Sequence, residues 1–325
     1  MLNAPRGNWQ PWQPIATLET LRLRAKAIQK IRAFFEGRGV LEVTTPVWLP
    51  EVAPERHQTP PACLGGFLLT SPETCMKRLV AAGSGAIFQM GPAFRQGESG
   101  RLHHPEFTML EWYRPHWTVD QLVDEVTALI QLVLPVLAIR IMTFQEAFQH
   151  FIGVDPFVAP LETLADALEE GSLRPGDDRP ALIDRLFVQR LEPAIAPLEI
   201  LLILTGFPPW EPGMAEVDPG PPRVARRFEV FFRGVELANG YQESRDPLDL
   251  EQRMLTANAA RKRDGLNPLP IDRKFLQAME AGFPPCAGVA LGLDRLLMLA
   301  FNKEGIDKVM TFHELPGSSS MDRSF

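Results

Sequence analysis

Residues 86–95 and 106–113 constrain the fold more than any other part of the chain. Each carries a strand pattern, and only the polar, glycine-containing loop from Gln96 to Pro105 separates them. Strands joined so closely pair antiparallel. Further strand patterns follow in ILLILTGFPPW, RRFEVFFRG, VELANGYQE and PPCAGVALG. Helical patterns fall before, between and after them. From Thr17 to Arg38, Leu21, Ile28, Ile31, Phe34 and Phe35 recur at helical spacing ahead of VLEVTT and Pro46. Ser71-Pro72-Glu73 opens a helix expected to run to Gly83, and capping boxes begin at Thr118 and Thr143. The expected class is α+β, an antiparallel β-sheet flanked by helices. The expected divisions are an N-terminal arm at 1–16, one domain at 17–312 with a helical insertion at 143–197, and a disordered tail at 313–325.

Composition excludes several function classes. At 45% hydrophobic and 22% charged residues over 325 positions, the chain can build a large core. No apolar run reaches the roughly 18 to 20 residues of a membrane span, and the N-terminus lacks signal-peptide order, so a cytoplasmic protein with no membrane partner is expected. Cys63, Cys75 and Cys286 are scattered and odd in number. They read as buried thiols rather than a disulfide framework or zinc site. A net charge of −7 argues against a global field for nucleic acid. The densest basic cluster, AARKRDG at 259–265, reads as a solvated helix end before a docking site.

Three clusters carry chemistry. In GRLHHPEFTMLEWY the adjacent histidines suggest a metal, but neighbours on an extended chain point to opposite faces. Strand parity puts Phe107, Met109, Glu111 and Tyr113 on one face, an aromatic plate beside a carboxylate and a phenol. A cation pocket and a paired core carboxylate are equally consistent with this. Arg95 would reach the same face, suited to a phosphate beside a stacked purine, or pair with Glu98 at the surface. In RRFEVFFRGVELANGYQE, a two-residue turn at Arg233-Gly234 sets Phe231 opposite Glu236, with Glu229 diagonally across at roughly 7 Å. Two such carboxylates can share Mg²⁺ or simply face water. Asn239, Tyr241 and Glu243 have the opposite parity and need a bulge to join them, for which Gly240 is the natural place. In GVALGLDRLLML, Gly288 and Gly292 permit close backbone approach and Arg295 opens a helix, while Asp294 could pair with Arg295.

Together these clusters resemble the signature motifs of class II aminoacyl-tRNA synthetases. The helix ending in VLEVTTPVW resembles motif 1, FRQGESGRLHHPEFTMLEWY motif 2 and GVALGLDR motif 3, in order from about Arg22 to Leu299. SPETCMKRL, PEFTMLEWY and VELANGYQE are most similar to lysyl-tRNA synthetase. The resemblance implies a class II synthetase-like antiparallel sheet, ATP and Mg²⁺ as cofactors, and a homodimer built through motif 1. It implies catalytic contacts from Arg95 to the α-phosphate and Arg295 to the γ-phosphate. ATP would also meet Gln96, Gly97, Glu98, His103, His104, Phe107, Glu229, Val230 and Gly292. Glu229 and Glu236 would hold the metal. Ser71, Glu73, Glu111, Tyr113, Glu236, Asn239, Tyr241, Glu243 and Ala290 would surround the amino acid.

Motif 1 begins within about twenty residues of Met1, so the anticodon-binding β-barrel of lysyl-tRNA synthetases is not expected. The chain thus resembles the truncated paralogues that attach lysine, preferentially (R)-β-lysine, to a lysine of elongation factor P. Ala290 stands where lysyl-tRNA synthetases carry glycine and this ligase family alanine. Gly97 replaces the motif 2 glutamate, and His104 replaces the usual asparagine. The implied partner is elongation factor P rather than tRNA. A truncated enzyme acylating tRNA, or a non-catalytic regulator on the same fold, are the alternatives.

Overall fold

The computed structural model describes residues 12–312 except Leu137, Glu170, Ser172, Pro175 and Glu211. The expected tail, and residues 1–11 of the expected arm, lie outside the described residues. Thr17 caps α1 (Leu18–Glu36) by accepting from the Thr20 amide. Short strands β1 (Leu41–Glu42), β2 (Trp48–Leu49), β3 (Ala62–Cys63) and β4 (Gly66–Leu68) follow, then α2 (Glu73–Ala81). Next come β5 (Ile87–Phe94), β6 (Glu106–Pro115) and α3 (Val119–Val133), the last with its capping box formed. Beyond β7 (Ile139–Thr143) lie α4 (Phe144–Phe151), α5 (Leu161–Asp166), α6 (Arg179–Leu186) and α7 (Glu192–Ile195). The chain then forms β8 (Leu201–Phe207), β9 (Val217–Asp218), β10 (Val224–Phe232) and β11 (Val235–Gln242). It ends with α8 (Pro247–Arg263), α9 (Arg273–Gly282), β12 (Cys286–Gly292) and α10 (Leu293–Ala300).

The main sheet runs β1-β5-β6-β12-β11-β10-β8-β7, with β9 on β10. Pairing is antiparallel except at its margins, where β1 joins β5 and β7 joins β8 in parallel. A parallel pair needs a crossover. Between β7 and β8 that crossover is the helical segment α4–α7, whose core includes Phe144, Phe148, Leu182 and Phe231. The strand β7 itself was not foreseen, because IRIMT is short and flanked by helical patterns.

One face of the sheet is buried under α1, α3 and α10. Phe35 of α1 stacks on Phe88 at 4.4 Å and meets Trp112 edge-on, and Leu122, Val126, Leu296 and Leu297 complete this core. The other face is covered at one end by α4–α7 and at the other by α2, α8 and α9, and the stretch between them carries the site. Three expectations need correction. Only Cys286 is fully buried, while Cys63 and Cys75 are half-buried free thiols near short or amphipathic elements. Arg261 is not solvated at its helix end: it is buried and donates to the carbonyls of Glu55, Gln58 and Asn267. Asp294 pairs with Arg24 of α1 at 2.6 Å and accepts from the Thr108 amide at 2.6 Å, rather than pairing with Arg295. Arg24 also donates to Thr108 Oγ1, so three distant sequence segments meet at one buried charge pair.

Candidate functional site

Strand register builds the site in rungs. Across β6, β12, β11 and β10 run Glu111, Ala290, Asn239 and Glu229, and beside them Tyr113, Gly288, Tyr241 and Arg227. Phe107 and Met109 extend the same face of β6, as alternation requires. The Arg233-Gly234 turn has positive φ at both residues, and Phe231 opposes Glu236, as the two-residue turn predicts. The bulge does not lie at Gly240. It falls one step past Glu236, where Val230 pairs with Ala238 and the register shifts between Val230 and Phe231. That extra residue brings Asn239, Tyr241 and Glu243 to the face of Glu236. Gly240 is instead needed for packing, since a Cβ there would lie 2.4 Å from the Phe228 ring.

These strands floor a cavity of about 820 Å³. At one end, Lys77 of α2 is buried between Glu73 and Glu243, 2.6 Å from each. Ser71 Oγ accepts from the Glu73 amide and donates to Glu111 Oε2 at 2.7 Å, and the Tyr113 hydroxyl donates to Glu111 Oε1 at 2.7 Å. Gly288 admits this cluster, because a Cβ would stand 2.3 Å from Glu243 Oε1 and 2.4 Å from the Tyr113 ring. Burial pushes the Glu111 carboxyl up to about 7, with Glu73 adding to it, and pushes Glu243 up to about 8 against the pull of Lys77. For Lys77, burial opposes the charge, but Glu243 and Glu73 outweigh it and hold the ammonium above the ordinary lysine range.

At the other end, the Arg95 guanidinium stands over the Phe107 ring, 5.2 Å from its centroid, and 3.9 Å from Glu98. Arg95 Nε is buried with no hydrogen-bond partner among the described residues. An unsatisfied donor of a charged fork suits an incoming anion. Arg295 donates to the carbonyls of Leu102 and Glu236 and to His103 Nε2 at 2.6 Å. His103 therefore accepts through Nε2, and burial, then Arg295, lower its pKa. His104 turns away onto the Glu106 carbonyl at 2.6 Å, which separates the two imidazoles.

Between the ends, Asn239 accepts from Arg227 Nε at 3.1 Å and donates to the Tyr241 hydroxyl at 3.1 Å. Arg227 also pairs with Glu229. Burial pushes Glu229 up to about 7, Arg227 opposes this and Glu236 adds to it. Among the described residues no three carboxylate, histidine or cysteine side chains cluster to hold a metal. Glu229 and Glu236 instead offer hard oxygen donors whose charges repel, a half-site that a divalent cation with phosphate ligands would complete.

Three expected contacts lie elsewhere. The Val230 side chain is in the core, because it alternates with Glu229, and neither Gln96 nor Gly97 lines the cavity. The Gln96 amide donates to the Thr59 carbonyl, and Gly97 turns through φ +84°. All the other expected site residues line the cavity. Sequence reasoning missed Lys77, Arg227 and Glu55. The Glu73-to-Lys77 spacing was visible, but such pairs ordinarily mark solvated helix faces.

The model for tRNA synthetases class II (D, K and N) matches residues 15–315. The chain is 43% identical over 315 residues to the elongation factor P–(R)-β-lysine ligase of Vibrio cholerae, covering 93% of this chain and 97% of that protein. The enzyme of the same name from Proteus mirabilis is 43% identical with the same coverage, and that from Vibrio parahaemolyticus 44%.

Proposed function

We propose, for a chain that belongs to the tRNA synthetases class II (D, K and N), that it joins (R)-β-lysine or lysine to elongation factor P. ATP activates the amino acid as an adenylate, which passes to a lysine side chain of that protein. The relatives' names support this acceptor. The observation that carries the reading is the charge of one cavity. Glu73 and Glu243 hold the single ammonium of Lys77 with the Glu111 carboxyl nearby, while Arg95, whose Nε has no hydrogen-bond partner among the described residues, lies at the opposite end. A substrate bringing ammonium groups to one end and phosphates to the other balances both.

In the first step the amino-acid carboxylate attacks the α-phosphorus. It is already ionised, so no base is required. Arg95 supplies positive charge where the phosphoryl transition state gathers negative charge, with Phe107 beneath it as the plate for adenine. Arg295 serves the γ-phosphate and is aimed by three fixed acceptors. Glu229 and Glu236 would hold Mg²⁺, which when bound draws charge from the phosphate oxygens. Glu111, Tyr113, Ser71 and Glu243 orient the substrate's cationic end.

The same reading makes the enzyme a cytoplasmic homodimer that does not need tRNA. Leu18 and Leu23 on α1 and Leu41 on the edge strand β1 are exposed apolar side chains of the motif 1 segment, through which the resemblance builds the dimer. Gel filtration should show twice the mass of one chain; a single-chain species would refute the dimer.

The test is intact mass of elongation factor P after incubation with ATP and each lysine isomer. One added residue is expected, greater with (R)-β-lysine. Arg95→Ala should reduce ATP–pyrophosphate exchange by at least about 100-fold. Exchange without any added mass would move the acceptor to tRNA, and absence of Mg·ATP binding would favour a regulator.

A further inference from the structure

The transfer step poses a problem that the first step does not. A lysine side chain with an ordinary pKa near 10.4 is neutral in only roughly one molecule in 2,500 at pH 7, so an amine acceptor must lose a proton before it can attack. Glu55 stands where such a base is needed. It lies in the loop 50–61 between β2 and β3 and lines the cavity. Its backbone is fixed. Arg261 donates to the Glu55 carbonyl at 3.1 Å and the Gln58 carbonyl at 2.8 Å, and the Gln96 amide donates to Thr59 O at 2.8 Å. Its carboxylate makes no hydrogen bond or ion pair among the described residues and is exposed to the cavity's solvent. The charged groups it faces are Glu73 and Lys77 on α2, Arg95 at the end of β5 and Arg227 on β10, with Arg56 and His57 beside it. Arg56 is itself engaged by Asp264. Glu55 therefore lines the same cavity as Arg95 at the phosphate end and Glu73 at the amino-acid end, within electrostatic reach of both.

We propose that Glu55 is the general base that deprotonates the acceptor amine, an inference that rests on the ligase reading above. Two protons leave the nitrogen. The first passes from the ammonium to the Glu55 carboxylate and on to water at the cavity mouth. The amine nitrogen then forms its bond to the acyl carbon. The tetrahedral nitrogen gives its second proton to a phosphate oxygen, and the carbon–oxygen bond breaks with its electrons remaining on AMP. Loss of water within the cavity raises the Glu55 carboxyl above its ordinary value and Glu73 adds to this, while Arg95, Arg227, Lys77 and the solvent that still reaches the residue oppose it. A carboxylate raised in this direction moves toward the range in which it exchanges protons at neutral pH.

The experiment compares wild type, Glu55→Gln and Glu55→Asp in the full chain. ATP–pyrophosphate exchange reads activation. Transfer to elongation factor P and to Nα-acetyllysine amide reads attack by an ammonium, and transfer to hydroxylamine reads attack by a nucleophile already neutral at pH 7. Glu55→Gln should keep exchange and hydroxamate formation within about two-fold while amine transfer at pH 7 falls about 100-fold or more. Wild-type transfer should level off above about pH 7, whereas Glu55→Gln should keep rising about tenfold per pH unit, and Glu55→Asp should recover part of the rate. Amine transfer by Glu55→Gln at the wild-type rate overturns the proposal, as does an equal loss in exchange and hydroxamate formation. If wild type modifies the small amide but not elongation factor P, the acceptor reading falls and Glu55 is decided on the small amine.

Discussion

Ala290 occupies the rung between Glu111 on β6 and Asn239 on β11, so its methyl group stands in the floor of the amino-acid end. Packing in this corner, with Met109, Phe107 and Cys75 nearby, leaves little slack for a change in volume. Moving an amino group from the α to the β carbon alters where the ammonium meets that floor. Ala290→Gly should therefore lower the preference for (R)-β-lysine over lysine by about 1 to 3 kcal/mol, or roughly 5- to 160-fold in the ratio of kcat/KM. Exchange kinetics with the two isomers check this; an unchanged ratio would remove Ala290 as a selector. Lys77 works differently. Both it and Glu243 are about 1% exposed, so this pair is a fixed part of the pocket wall rather than a surface ion pair.

At the scale of elements, two irregularities make the site. The bulge after Glu236 changes which side chains of β11 face the cavity, and a regular hairpin would have turned Asn239, Tyr241 and Glu243 away. The loop 50–61 has little regular structure of its own and depends on Arg261 from the end of α8, with further backbone bonds from Val52 to Pro270 and from Asp272 to Val52. The guanidinium of Arg261 holds three carbonyls, and no carboxylate pairs with it among the described residues. Arg261→Met should cost about 2 to 4 kcal/mol, read from the urea midpoint, because buried carbonyls lose a charged donor. A loss below 0.5 kcal/mol would show that the loop is held without it.

For the molecule as a whole, the buried carboxylates couple substrate binding to pH. Glu111 and Glu243 are raised from 4.5 to about 7 and about 8, chiefly by burial. Between the unfolded value and those values the folded, lysine-free protein holds more protons than the unfolded chain, so stability falls as pH rises through that window. Lys77, held above the ordinary lysine range, keeps its charge throughout. A bound substrate ammonium stabilises the ionised carboxylates and returns part of what is lost. The rise in Tm on adding saturating lysine should be greater at pH 8 than at pH 6 by at least about 2 °C. An equal rise at both would separate these carboxylates from the substrate.

The pattern of strands and helices, the α+β class and the cavity face of β6 were legible in the sequence, because alternation and capping are local rules that Phe107, Glu111, Tyr113 and Thr118 obey. So was the turn at Arg233-Gly234, whose backbone demands are also local. The long-range pairings were not. Asp294 chose Arg24, 270 positions away, over its neighbour Arg295, and Arg261 chose carbonyls some 200 positions away over water. Such choices depend on which groups burial strips of solvent, and only the assembled chain decides that. The same holds for Glu55, an unremarkable acid in PERHQ until the fold makes it line the cavity that also holds Arg95 and Glu73.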